Sequence, residues 1–181
     1  MAAAPQISMR PPEIPLGESA RIADLYTYGI LNTAAEKIFD EITALASVIC
    51  GTRFAGISFI DQDRQWFKAS HGVKLGQSPR SESVCAHAIL ENDIFEVENV
   101  HEDDRFFDSP MVRGNPRFRF YAGSPLFSDR GNAIGMLCVL DSEPGKLSTS
   151  NANRSSISPT WSCRSSMRAG CSSWRSAWAA S

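Results

Sequence analysis

The chain has 181 residues, with 18 Lys and Arg against 20 Asp and Glu and a net charge of −2. That length suits one domain burying roughly 70% of its unfolded surface, and the near-neutral balance excludes a general affinity for nucleic acid or anionic membrane. No apolar run reaches the ~20 residues of a membrane span, and the start "MAAAPQISMRPPEIPLGES" lacks the charged-then-apolar pattern of a signal peptide. We expect a flexible Pro-rich lead over residues 1–17 and a cytoplasmic protein. Five cysteines without a CxxC pair indicate neither a zinc ribbon nor a disulfide framework, so reduced thiols are expected.

Residues 18–29 read as a first helix, with Ile22, Leu25 and Tyr26 on one face. A second helix follows Thr33, which with Glu36 makes a capping-box pattern. Ile38, Ile42, Leu45 and Ile49 then recur at helical spacing, and Gly51 supplies the stop. The pattern next changes to short strands: "FAGISFID" and "QWFKASHG" form a hairpin through the polar turn "DQDR". There Asp61 and Asp63 shape the turn and Arg64 pairs with a carboxylate. Residues 83–91 form a short helix capped by Ser81 or Ser83, and "IFEVENV" is a short strand. Residues 101–116 are a loop with one or two helical turns, capped by Asp103 or Asp104 and anchored by Phe106 and Phe107. "RFRFYAGSPLF" and "AIGMLCVLD" are two further strands around the turn "SDRGN". Alternation puts Phe118 and Phe120 on one face, with Arg117, Arg119 and Tyr121 on the other. Helices followed by antiparallel strands imply an α+β fold, and five strands are countable.

From Ser150 the composition shifts: residues 150–181 hold eleven serines, four arginines, three of the four tryptophans and no acidic residue. No apolar period organises them, which is poor material for a core. A one-nucleotide shift in the reading frame can restore an amphipathic helix there, so the tail reads as frameshifted and disordered, and the output that followed as lost.

Chemistry concentrates in "SVCAHAI". Cys85 and His87 are i and i+2 on a helix, point apart and do not make a nucleophile–base pair. They read as a small buried hydrophobe beside a hydrogen-bonded imidazole, or as the wall of a pocket. His71, Cys85, His87, His101 and Asp104 are metal ligands by type but follow no ligand spacing, so no metal is expected. No glycine-rich phosphate loop is present. No catalytic constellation emerges.

Residues 19–148 resemble a GAF domain. The likeness rests on "YGILNTAAEKIFDEITALAS", "ISFIDQDRQWFKASHG", "SPRSESVCAHAIL", "DDRFFDSPMV", "RFYAGSPL" and "AIGMLCVLD", in that order. It implies a domain over 18–149 with a central antiparallel sheet of about six strands and helices on both faces. It also implies a ligand pocket, for which Trp66, Cys85, His87, Asp104, Phe118, Phe120, Tyr121 and Cys138 are the candidates. Domains of this kind stand ahead of histidine kinase (two-component) or diguanylate cyclase modules as sensors in signal transduction. The resemblance thus points to a non-enzymatic sensory module binding an unidentified small molecule, its cofactor unknown, or forming a homodimer, weak at most, through its first helix. The alternative is a redox enzyme like the GAF-fold free methionine-R-sulfoxide reductases, using Cys85. Those enzymes would place their partner cysteines in 92–96 or 105–120, where this chain has none. Bilin-binding GAF domains use a Cys-His dipeptide, which is also missing.

Overall fold

The alternating strands assemble into one six-stranded antiparallel sheet in the computed structural model, which describes residues 9–147 together with Met167. The elements are α1 (Glu18–Thr27), α2 (Lys37–Cys50), β1 (Phe54–Ile60), β2 (Arg64–His71), β3 (Gln77–Pro79), α3 (Val84–Ala88), β4 (Phe95–Val97), α4 (Pro110–Arg113), β5 (Phe120–Phe127) and β6 (Ala133–Asp141). Strand order is β3-β2-β1-β6-β5-β4. The uncounted sixth strand is β3, three residues on the edge ending in Pro79, too short for any period to show. No described helix is long and apolar enough to cross a membrane.

A core lies on each face of the sheet. One joins Leu25, Ile30, Phe39 and Ala46 to Ile57, Phe59, Phe120, Leu137 and Val139 under α1 and α2. The other joins Val84, Cys85, Ile89, Phe106 and Phe118 to Tyr121, Met136, Cys138 and Leu140 under α3 and α4. Layers on both sides of a sheet require alternate residues to face opposite cores. β6 does this from Met136 to Leu140, so "AIGMLCVLD" is apolar throughout. At Gly135 a Cβ would lie 2.3 Å from the Ser58 carbonyl oxygen, so only glycine lets β6 close on β1.

Several local expectations are corrected. On α1 the buried residues are Arg21, Asp24 and Leu25, while Tyr26 is exposed. The polar pair is inside because each is fully engaged. Arg21 donates to the Ile60 carbonyl (2.7 Å) and to Glu18, and Asp24 accepts from Ser128 (2.7 Å), Asn132 (2.6 Å) and Arg130 (2.8 Å). The Thr33–Glu36 capping box does not form. Both side chains instead accept from the Lys68 ammonium, and the helix starts at Lys37.

The buried face of α2 is Phe39, Thr43, Ala46 and Ser47, leaving Ile38, Leu45 and Val48 exposed. The helix is apolar nearly all round, and its small residues let it approach the sheet most closely. Gly51 ends it in the left-handed region (φ 67°), as expected. The short helix is α3, capped by Ser83 and not Ser81, and it ends at Ala88.

The lead is not wholly free of the domain: Met9 and Pro12 are buried, Met9 in the second core. Cys50 is disulfide-bonded, against the expectation of reduced thiols. The expectations for residues 1–8 and the tail lie outside the described residues, except that Met167 is helical and packs into the first core.

Candidate functional site

The two-faced sheet divides the eight candidate residues. Cys85, Phe118, Tyr121 and Cys138 meet in the second core, all of them buried. Trp66 and Phe120 pack on the opposite face, with α1 and α2. Phe118 and Phe120 therefore do not share a face. β5 begins only at Phe120, and Arg117 sits in the left-handed region (φ 61°), so the period of two does not extend back to Phe118. On β2 a bulge admits Lys68 as an extra residue, which keeps Trp66 and Ala69 on the α2 side. Asp104 is exposed at the surface, and Asp103 makes the turn, accepting from the Arg105 amide (2.9 Å) and guanidinium.

α3 turns Cys85 and His87 apart, as i and i+2 spacing requires. His87 lies half-buried at the rim, its Nε2 3.0 Å from the Arg10 carbonyl and its ring edge-on to Phe106 at 5.0 Å. Burial lowers its affinity for a proton. Cys85 points to the sheet. The Tyr121 hydroxyl donates to its sulfur at 3.1 Å, and Cys138, Ser58 and Gln65 lie close enough to act on its charge. Burial by itself would push the Cys85 thiol up. The neighbouring Cys138, Tyr121, Ser58 and Gln65 groups outweigh it and hold the thiol below its ordinary value. Cys138 and Tyr121 move the other way. The neighbouring Cys85 sulfur and burial raise Cys138, while burial and the two sulfurs raise Tyr121.

Ser58, Gln65 and Ser83 are members that the sequence reading missed. The Ser83 hydroxyl accepts from the Ala86 amide (3.0 Å) and donates to Gln65 Oε1 (2.6 Å). Gln65 Nε2 donates to Ser58 Oγ at 2.9 Å. The signal available was polar residues at inward positions of otherwise apolar strands, in "ISFI" and "RQWF".

Two surface clefts lie elsewhere, and none of the eight residues lines either. One of about 800 Å³ runs between β4 and the segment after β6, walled by Glu96, Glu98, Glu102 and Lys146. The other, about 340 Å³, lies at the end of α1 between Tyr26, Asn32, Asp61 and Arg64. Among the described residues, no three His, Cys, Asp or Glu side chains converge on a point where a metal ion could sit.

The comparisons with known proteins agree with this architecture. A GAF domain family model matches residues 34–153. A cyclic di-GMP phosphodiesterase of Pseudomonas aeruginosa is 46% identical over 136 residues, which is 75% of this chain and 23% of that protein. The chain thus spans about a quarter of that relative's length. The GAF domain of an Acinetobacter phosphoenolpyruvate-protein phosphotransferase superposes with a TM-score of 0.59 at 16% identity, covering 89% of this chain and 94% of that one. A GAF sensor protein from Burkholderia vietnamiensis gives 0.55 at 17% identity, covering 85% and 90%. The six-stranded sheet with helices on both faces, and the family match across more than half of its length, make this chain a member of the GAF domain family.

Proposed function

We propose that this chain is a non-enzymatic sensory module of bacterial signal transduction whose target is a cyclic di-GMP phosphodiesterase activity. The observation that carries the reading is the partial match to the Pseudomonas phosphodiesterase. The two share a GAF-sized segment, while most of the relative has no counterpart here. A module that recurs beside a separate activity regulates it by favouring one of two states, which requires an input that binds the two unequally.

The input is a small molecule admitted between the sheet and the segment 83–115. The response leaves through the helices on the other side. Glu18 on α1 pairs with Arg80, which leads into α3, so the lid and the first helix share an ion pair. α2 exposes Leu45 and Val48, an apolar stripe suited to a weak homodimer or to an output helix.

The test grafts residues 18–147 into the Pseudomonas enzyme in place of its matching segment. The graft should keep cyclic di-GMP hydrolysis, deletion of the segment should change its rate, and the isolated chain should hydrolyse none. Hydrolysis by the isolated chain, or a deletion without effect, would defeat the proposal. The alternative, a reductase of free methionine-R-sulfoxide using Cys85, is favoured only by the nearby Cys138 thiol. It predicts thioredoxin-coupled turnover of free methionine sulfoxide, and we expect none.

A further inference from the structure

The second core is apolar except where Ser58, Gln65, Ser83, Cys85, Tyr121 and Cys138 meet. A neutral thiol is a weak acceptor, so setting the Tyr121 hydroxyl 3.1 Å from the Cys85 sulfur, with Ser58, Gln65 and Cys138 grouped nearby, is poor use of buried donors. The same surroundings suit a thiolate, because donors to an ion form stronger bonds. The Ala86–Ser83–Gln65–Ser58 chain fills the Ser58 oxygen with a donor and leaves its proton to spare. The Cys138 thiol donates to the Gly56 carbonyl at 3.4 Å, and Cys85 is the neighbour that raises its proton affinity. The two free thiols come from positions 85 and 138, one on α3 and the other on β6, and they are 2% and 1% exposed. Nothing in the sensory reading requires such a pair.

We propose that Cys85 and Cys138 are a redox-active dithiol which a hydroperoxide closes to a disulfide, pinning α3 to β6. The Cys85 thiolate attacks one peroxide oxygen. An S–O bond forms as the O–O bond breaks, and the departing hydroxide takes a proton and leaves as water. Cys85 is thereby oxidised by two electrons to the sulfenic acid, and the peroxide is reduced. The Cys138 sulfur then attacks the Cys85 sulfur. An S–S bond forms, the S–O bond breaks, and the hydroxide leaves with the Cys138 proton as a second water. Two thiols and one hydrogen peroxide give one disulfide and two waters. Both sulfurs lie in one buried core between α3 and β6, so closure needs an approach of α3 to β6. Burial restricts the oxidant to a small one, admitted when the covering segment opens. Closure removes the acceptor of the Tyr121 hydroxyl and holds the lid against the sheet, whichever output the module controls.

The test treats the full chain with hydrogen peroxide, alkylates remaining thiols after unfolding, and maps peptides by mass. The expected product is a peptide joining Cys85 to Cys138, lost on addition of dithiothreitol. Tyr121→Phe removes one donor to the thiolate and should slow its formation several-fold. Cys138→Ser should leave Cys85 as a sulfenic acid that dimedone captures. The wild-type map decides the matter even where a variant does not fold. Recovery of both cysteines as alkylated thiols, or linkage of either one to a different cysteine, overturns the proposal.

Discussion

Glu18 offers a sharp test of how α1 is tied to the rest of the molecule. It lies in the first turn of the helix and receives both Arg21, at 2.8 Å, and Arg80. Burial opposes its charge, but the hydrogen bonds and charges of the two arginines prevail and hold the carboxyl down to about 2, from 4.5. A difference of about 2.5 pH units corresponds to about 3.4 kcal/mol at ~1.36 kcal/mol per unit. The side chain is not fully enclosed, and solvent screening reduces this to about 1–2 kcal/mol.

A depressed carboxylate stabilises the fold above its unfolded value. That contribution is complete above about pH 5 and fades as pH falls from 4.5 toward 2. Glu18→Gln should therefore lower unfolding stability by about 1–2 kcal/mol at pH 7 in a urea titration followed by tryptophan fluorescence. The gap between wild type and variant should narrow steadily below pH 4.5 and largely close near pH 2.5. A gap that is absent at pH 7, or that stays constant down to pH 2.5, would refute the account. The first result would mean the arginines are equally satisfied without the charge. The second would mean the loss is one of shape alone.

Two further substitutions probe the sheet. Lys68→Met removes an ammonium whose side chain is 0% exposed and which donates to Thr33 (2.7 Å), the Ala34 carbonyl (2.7 Å) and Glu36. Loss of these bonds should cost about 2 kcal/mol by chemical denaturation, whereas Lys37→Ala, which breaks only an exposed pair with Glu41, should change stability by less than about 0.5 kcal/mol. Gly135→Ala sets a methyl 2.3 Å from the Ser58 carbonyl oxygen. It should destabilise by about 1–3 kcal/mol and weaken amide-exchange protection where β1 meets β6. Unchanged protection would show that β6 can shift to admit it.

The strands and turns whose signals are local were legible from the chain alone. β6 runs over the nine residues "AIGMLCVLD" as read, the β1–β2 hairpin closes at "DQDR", and Asp61 takes the Gln62 amide and Arg64 as that turn chemistry requires. A serine cap on α3 was legible because a hydroxyl just before a helix satisfies an otherwise orphaned amide, while the fold chose Ser83 over Ser81, and the ordered motifs carried the family. Which face an element buries was decided only by tertiary structure. α2 is apolar nearly all round, so its own sequence could not choose between Ile38 with Leu45 and Phe39 with Ala46; packing onto the sheet did. Thr33 and Glu36 carry a capping pattern that Lys68, 35 and 32 positions away in the chain, diverts. The bulge at Lys68 and the late start of β5 set Trp66 and Phe120 against α1 and α2, away from Cys85. Likewise, Cys85 and Cys138 enter one core only once α3 lies over β6. Burial and hydrogen bonding depend on what arrives from distant parts of the chain, and a period along one segment carries no record of it.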